Sequence, residues 1–490
     1  MPFRYIVALV IAGLTLVGCD RSGQPAADAQ KPNIILLLVD DLRWDELGYS
    51  GSPAPTPNID SFAQRGARFD NAYVTSSLCS PSRASFLTGT YAHTHGVVGN
   101  LADLDPVRTP TIAALLREHG YRTAMIGKWH MGVDGRPRPG FDVWYSMAGQ
   151  GTYADPVFND NGRRVKVEGY NTDIITARAI EFMQENDQPF YLHLSYKSVH
   201  QPLQPAPRHE NTLSRETFRG LARGNADIDK DSVRALRAET LRAVDDSVGA
   251  IMSHLEAAGK QGETVVVFTS DNGYLLGEHG RGDKRLFYEE SIRVPWLVHY
   301  PALITPGTVR SEAVLNVDFL PSMLDIAGVE VPPHVQGRSF VPLFTGADAG
   351  WRTHWVYEYF NEAEFMHLPT HLAVVDGRYK YVTFPEGPGL FHHFTGEDLL
   401  YDLQQDPYEL HNIASAPDQA QRIAVMNERL REFARETQLR FFDLDPGFVN
   451  RRIQELADEK KGLRWFREGM AKTYPEGFPG WEPPPRREMQ

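Results

Sequence analysis

The sequence predicts an α/β fold with a large, mostly parallel central sheet flanked by helices, followed by a smaller C-terminal α+β unit with a short antiparallel sheet. Three observations predict it. "NIILLLV" (33–39) and "TVVVF" (264–268) are apolar without alternation, as strands buried on both faces are. Segments of helical periodicity alternate with such runs. After about residue 345 the pattern changes to short strand-like stretches separated by turns, in "HLAVVDGRYKYVTF" and "DLLYDLQQDPYELHNIA".

Taken in order, the chain opens with Arg4 and a short apolar run ending in "LVGC" (16–19), too short for a comfortable membrane span. Residues 1–18 read as a signal peptide and 19–31 as a polar tether. The main α/β unit is expected over 32–345, the α+β unit over 346–446, and a helical then Pro-rich tail over 447–490. "PFYLHLSYKSVH" (189–200) is a third strand-like run. "TIAALLREHG" (111–120) and "TDIITARAIEFMQE" (172–185) read as helices. "LRAVDDSVGAIMSHLEAAG" (241–259) places Leu241, Val244, Val248, Ile251, Met252 and Leu255 on one helical face and stops at Gly259. The length, 490 residues, is roughly two to three domains' worth.

With 42% hydrophobic and 23% charged residues the chain is globular. Its formal charge of −13 argues against a nucleic-acid partner, yet permits an anionic substrate, because a few local cations govern a pocket. There are two cysteines. If Cys19 is the lipidated cysteine of an exported lipoprotein, no disulfide forms within the chain, and Cys79 is an unpaired thiol in an oxidising compartment. It is then either buried and inert or chemically converted.

Asp40 and Asp41 end the first strand, and Asp271 and Asn272 end another. Ligands of open α/β sheets bind at that edge. Four hard oxygen donors suit Ca²⁺ or Mg²⁺ better than a soft metal. Pro81 and "SRASFL" start a helix just after Cys79, so Cys79 and Arg83 form an anion-binding cradle at a helix N-terminus. A cysteine protease would also lower a thiol pKa beside a histidine, but needs no metal.

Cys79-Ser80-Pro81-Ser82-Arg83 followed by "ASFLTG" resembles the type I sulfatase signature C-x-P-S-R-x-x-x-L-T-G. The resemblance implies an alkaline-phosphatase-like sandwich. It also implies that a formylglycine-generating enzyme converts Cys79 to Cα-formylglycine, whose hydrate attacks sulfur. "GKWHMG" carries over Lys128 and His130 as residues holding that hydrate, and "SVHQP" carries over His200. "TSDNGYLLGEHG" resembles the second metal motif, and Lys284 falls at the sulfate-binding lysine. The implied metal set is Asp40, Asp41, Asp271, Asn272 and an oxygen at residue 79, with Ca²⁺ preferred over Mg²⁺. Arg83 would stabilise the hydrate. His200, or alternatively Lys284, would protonate the leaving alcohol. The likeness runs from about 31 to about 440.

"MAGQGTYADPVF" (147–158) with "EGYNTDIITARAIEFM" (168–183) resembles the N-acetylglucosamine-6-sulfatase branch, implying a sulfated carbohydrate with His367, Thr370 and His371 lining the sugar pocket. The expected setting is the periplasm or cell surface, with the membrane touched only through the lipid anchor at Cys19. The other readings are a phosphonate or phosphate monoester hydrolase of the same superfamily, an inactive glycan-binding lipoprotein, and a cysteine-dependent redox protein or protease.

Overall fold

The computed structural model of the chain describes residues 31–106, 109–185, 187–218, 230–347, 350–362, 364–365, 368–385 and 397–439. The signal-like segment, Cys19, His367 and the tail after 447 lie outside these.

The central sheet has ten strands. Its order is Thr308–Arg310, Ala67–Phe69, Trp296–His299, Thr264–Ser270, Asn33–Val39, Phe190–Ser195, Arg122–Lys128, Val143–Met147, Val157–Asp160, Arg163–Lys166. The strands from Thr264–Ser270 through Val143–Met147 run parallel. Trp296–His299 and the Val157–Lys166 hairpin are antiparallel to their neighbours. The sheet is therefore mixed at its margins and parallel where the site forms.

The unalternating runs are buried on both faces. Ile34, Leu36, Leu38, Val265 and Val267 pack with Phe86, Trp296 and Phe319 on one side. Ile35, Leu37, Val39, Val266 and Phe268 pack on the other against the helices Asn171–Gln184 and Asp231–Ala257. The latter helix begins ten residues before the periodic stretch legible in the sequence.

The smaller unit is a four-stranded antiparallel sheet, Trp355–Tyr359, His371–Val375, Tyr379–Thr383 and Leu399–Asp402, paired in chain order. One face covers the helix Ala420–Thr437 through Val356, Leu372, Val374 and Tyr381 against Met426, Leu430 and Ala434. The other packs on the larger unit, where Tyr357, Ala373 and Val382 meet Leu78, Leu275 and Phe287. Among the described residues no helix is long and apolar enough to cross a membrane.

Gly127 shows how tightly the site's strands are drawn together. Its φ is +104°, and a Cβ there would lie 1.9 Å from the Ser195 carbonyl oxygen on the adjacent strand. Backbone strain and overlap with rigid main chain add, so Gly127→Ala is expected to lower the unfolding free energy by at least about 2 kcal/mol. Urea unfolding checks this, and an unchanged midpoint would contradict it.

Candidate active site

The carboxyl ends of two adjacent parallel strands carry the acids. Asp40 and Asp41 follow Asn33–Val39, and Asp271 and Asn272 follow Thr264–Ser270. The chain turns sharply there, with Asp41 at φ +62°. The Asp41 N–H donates to Asp271 Oδ1 at 3.1 Å, and Asn272 Nδ2 donates to Asp41 Oδ1 at 2.6 Å. One oxygen from each of Asp40, Asp41 and Asp271 lies within 4.8 Å of the others, all fully buried.

The third component is the helix Cys79–Thr88, which begins at Cys79 itself and is buried along its whole length. Its N-terminal turn therefore presents N–H donors in a dry place. Asn100 Oδ1 accepts one of them, from Ser80, at 3.1 Å. Cys79 Sγ marks where oxygens of a formylglycine would start. It lies 3.5 Å from Asp40 Oδ1, 3.1 Å from Lys284 Nζ and 3.9 Å from Lys128 Nζ.

Arg83, one turn along, ties the strands together. Its guanidinium donates to Asp271 Oδ2 at 2.8 Å, the Lys128 carbonyl at 2.8 Å and Ser195 Oγ at 2.6 Å. Lys128 Nζ is ion-paired with Asp40, and Lys284 Nζ with Asp41. His200 Nε2 stands 3.9 Å from Asp41 Oδ2, while its Nδ1 faces the Gln201 carbonyl. His130 adopts φ +55°, is 7% exposed, and has a buried Nδ1 without a partner among the described residues.

The electrostatics follow from burial against pairing. Burial favours protonated Asp40 and Asp41, but Lys128 and Lys284 outweigh it and hold both below the usual carboxylate range. Asp271 is pushed up to about 7 by burial and by Asp40, despite Arg83. Burial pushes the Cys79 thiol well up, against the pull of both lysines, so no reactive thiolate is prepared here. Burial and the Lys128 cation bring His200 down to about 4 and His130 well below its ordinary value.

The donor set fits a hard divalent cation. Three buried carboxylates converge with the side-chain carbonyl of Asn272, whose Oδ1 is buried without a hydrogen-bond partner among the described residues. Three carboxylates face the three cations Arg83, Lys128 and Lys284. Adding a divalent ion leaves an excess of positive charge, which suits an anionic substrate.

The structure thus brings Asp40, Asp41, Cys79, Arg83, Lys128, His130, His200, Asp271, Asn272 and Lys284 to one place. Thr370 and His371 differ from the expectation that they line a sugar pocket. Thr370 Oγ1 accepts from the Asn361 N–H at 3.1 Å in a buried turn. His371 is fully buried, stacks on Tyr359 with centroids 5.0 Å apart, and donates Nδ1–H to the Pro369 carbonyl. Both belong to the packing of the small sheet. Glu278 sits behind the site, paired with Arg43 at 2.8 Å and Arg234 at 3.0 Å.

Other residues at the site escaped sequence reasoning. Ser195 and Asn100 are small polar residues identified only by whom they touch. Lys197, three residues before His200, is 2% exposed, and its position in that histidine motif was the available signal. Asp283 and Arg285 flank Lys284 with φ of +74° and +82°. Arg285 pairs with Asp283 and Glu362, both at 2.5 Å, in a polar wall beside the lysine.

Known proteins bear on this arrangement. Residues 32–329 match the sulfatase family model, and residues 277–436 match that of the N-sulphoglucosamine sulphohydrolase C-terminal region. The chain is 32% identical to an N-acetylglucosamine-6-O-sulfatase of Bacteroides thetaiotaomicron, over 89% of this chain and 91% of that protein. It is 29% identical to an ulvan-active sulfatase of Formosa agariphila, covering 89% of each. A solved structure in complex with its substrate D-glucosamine-2-N,6-O-disulfate superposes with a TM-score of 0.74 at 31% identity, over 86% of this chain and all of that one. With the family model spanning most of the chain and this constellation at the sheet edge, the protein belongs to the sulfatase family, enzymes that hydrolyse sulfate esters.

Proposed function

We propose that this sulfatase hydrolyses the 6-O-sulfate of a glucosamine-type residue in a sulfated glycan, using a formylglycine made from Cys79 and a divalent cation, with Ca²⁺ preferred. The observation that carries the reading is the placement of residue 79. It stands at the N-terminus of a buried helix, 3.1 Å from a lysine and 3.5 Å from a carboxylate of a hard-oxygen cluster. The substrate class is supported by the names of relatives, among them the N-acetylglucosamine-6-sulfatases of Bacteroides thetaiotaomicron and Capra hircus, and by the disulfated glucosamine bound in the similar structure.

Asp40, Asp41, Asp271 and Asn272 would hold the cation, which when bound draws charge from a sulfate oxygen. A formylglycine supplies an oxygen nucleophile where Cys79 has sulfur. Arg83 and the helix N-terminus stabilise negative charge on that oxygen. Lys128 and Lys284 orient the sulfate and offset the repulsion an incoming nucleophile meets. His130, held neutral by burial and the Lys128 cation, would accept a proton from the oxygen at position 79. His200 delivers a proton to the departing sugar oxygen. Burial and the Lys128 cation bring its pKa down to about 4, and the negative charge of a sulfate against the ring would act in the opposite direction.

The maturation partner of this reading is a formylglycine-generating enzyme. We place the protein at the periplasmic or outer surface of a bacterial membrane, anchored by lipid on Cys19. That cysteine lies outside the described residues.

Sulfate release from N-acetylglucosamine-6-sulfate, measured beside an aryl sulfate and a phosphonate monoester, tests the substrate class. Preference for the sugar sulfate is expected, and faster turnover of the phosphonate would overturn the reading. His200→Gln is expected to lower kcat by about 10²- to 10⁴-fold, checked by steady-state kinetics.

Cation binding is expected to depend on pH through Asp271. Its carboxyl, near 7, carries a proton at lower pH that a metal must displace. Affinity therefore rises with pH, by up to about tenfold per unit below 7, and levels off above it. Calorimetric Ca²⁺ titration of the chelator-stripped protein at pH 6 and 8 checks this sign.

A further inference from the structure

Lys197 is 2% exposed, and among the described residues no carboxylate or carbonyl accepts a hydrogen bond from its ammonium. Its recorded contact is with the ring of Tyr153, 4.9 Å from Nζ to the centroid. Among the described residues the other buried lysines are all ion-paired: Lys128 with Asp40, Lys284 with Asp41, and Lys380 with Glu289 and Glu409. An ammonium on a largely buried side chain with no protein acceptor is costly. A ring face stabilises the charge without consuming its three N–H donors.

The backbone fixes where the lysine is rooted. Lys197 opens a turn closed by the His200 N–H to its carbonyl, at 3.0 Å. The Tyr153 hydroxyl donates to the His200 carbonyl at 2.7 Å, so the ring beneath Lys197 also holds the histidine. The Asp40 N–H donates to the Ser198 carbonyl at 2.8 Å, and the Val199 N–H to the Asp40 carbonyl at 2.7 Å. The segment bearing Lys197 is thereby fastened to the segment bearing Asp40. The charged and titratable groups that act on its ammonium are Lys128, Asp40, Asp41 and Cys79, the reaction centre itself.

We infer that Lys197 is a further anion-binding residue of this site, its ammonium taking an oxygen of the sulfate group. The charge balance agrees. With Lys197 counted, four cations face three carboxylates even before a divalent ion is added, and that positive excess suits an anionic sulfate ester. Burial and the Lys128 cation lower its pKa to about 8, a cost that a bound anion relieves. The inference rests on the sulfate site as assigned above.

The test uses the mature, metal-loaded enzyme with inorganic sulfate as the probe. The inhibition constant for sulfate, KM for N-acetylglucosamine-6-sulfate and the melting temperature are measured for wild type, Lys197→Met and Lys197→Arg. Lys197→Met is expected to weaken sulfate inhibition by about tenfold or more and to raise KM, with the melting temperature retained. Lys197→Arg, which keeps the charge and the ring contact, should recover most of the sulfate affinity. Lys197→Gln gives the same reading if the methionine variant does not fold. Sulfate inhibition within twofold of wild type in the uncharged variants would overturn the role of Lys197. A wild-type enzyme that neither binds sulfate nor releases it from substrate would instead overturn the site assignment.

Discussion

The structure depends on three carboxylates buried together at one edge of a parallel sheet. Asp40, Asp41 and Asp271 are 0–1% exposed, a placement that would be prohibitive without compensating charge. Arg83, Lys128 and Lys284 supply it, each from a different element: a helix, a strand end and a loop. Each of these cations also faces residue 79. Under the function proposed above, the groups that make the cluster tolerable are also those that would receive an anionic substrate, so stability and catalysis would draw on the same contacts. Removing one partner of such a pair leaves a buried charge exposed to low dielectric, commonly at about 3–5 kcal/mol.

The smaller unit contributes through the loop that carries Asp271 and Asn272. The Gly273 and Tyr274 N–H groups donate to the carbonyls of Ser291 and Glu290 at 2.8 and 2.7 Å. Those carbonyls belong to the short helix Glu289–Ile292. Lys380, from the small sheet, grips that helix through Glu289 at 2.9 Å and reaches Glu409 at 2.8 Å. The second sheet therefore buttresses the loop bearing Asp271 and Asn272 from behind, besides burying its own apolar face.

How much of this was legible in the sequence depended on whether the signal was local. "NIILLLVDD" announces a buried strand with acids at its end, because no alternation and a terminal acid pair are both local features. The helix after Cys79 is equally local. Three-residue strands such as Ala67–Phe69 and Thr308–Arg310 carry no periodicity and exist only through pairing with distant chain. Ser195 and Lys197 read as ordinary residues in a strand-like run. Topology alone sets Ser195 against Arg83 and folds Lys197 over Tyr153. His371 shows the converse. The resemblance to glycan sulfatases suggested a sugar pocket at His371, yet it begins a strand whose neighbours are aromatic, and the small sheet encloses it.

The central claim is that Cys79 serves as the precursor of an oxygen nucleophile and not as a thiol. Its most direct test is the mass of the tryptic peptide carrying residue 79, from protein made in its native host. The account predicts a peptide in which one oxygen replaces the sulfur and two hydrogens are lost, and which reacts with an aldehyde probe. An unmodified peptide whose Cys79 is alkylated as a free thiol in active enzyme would contradict it.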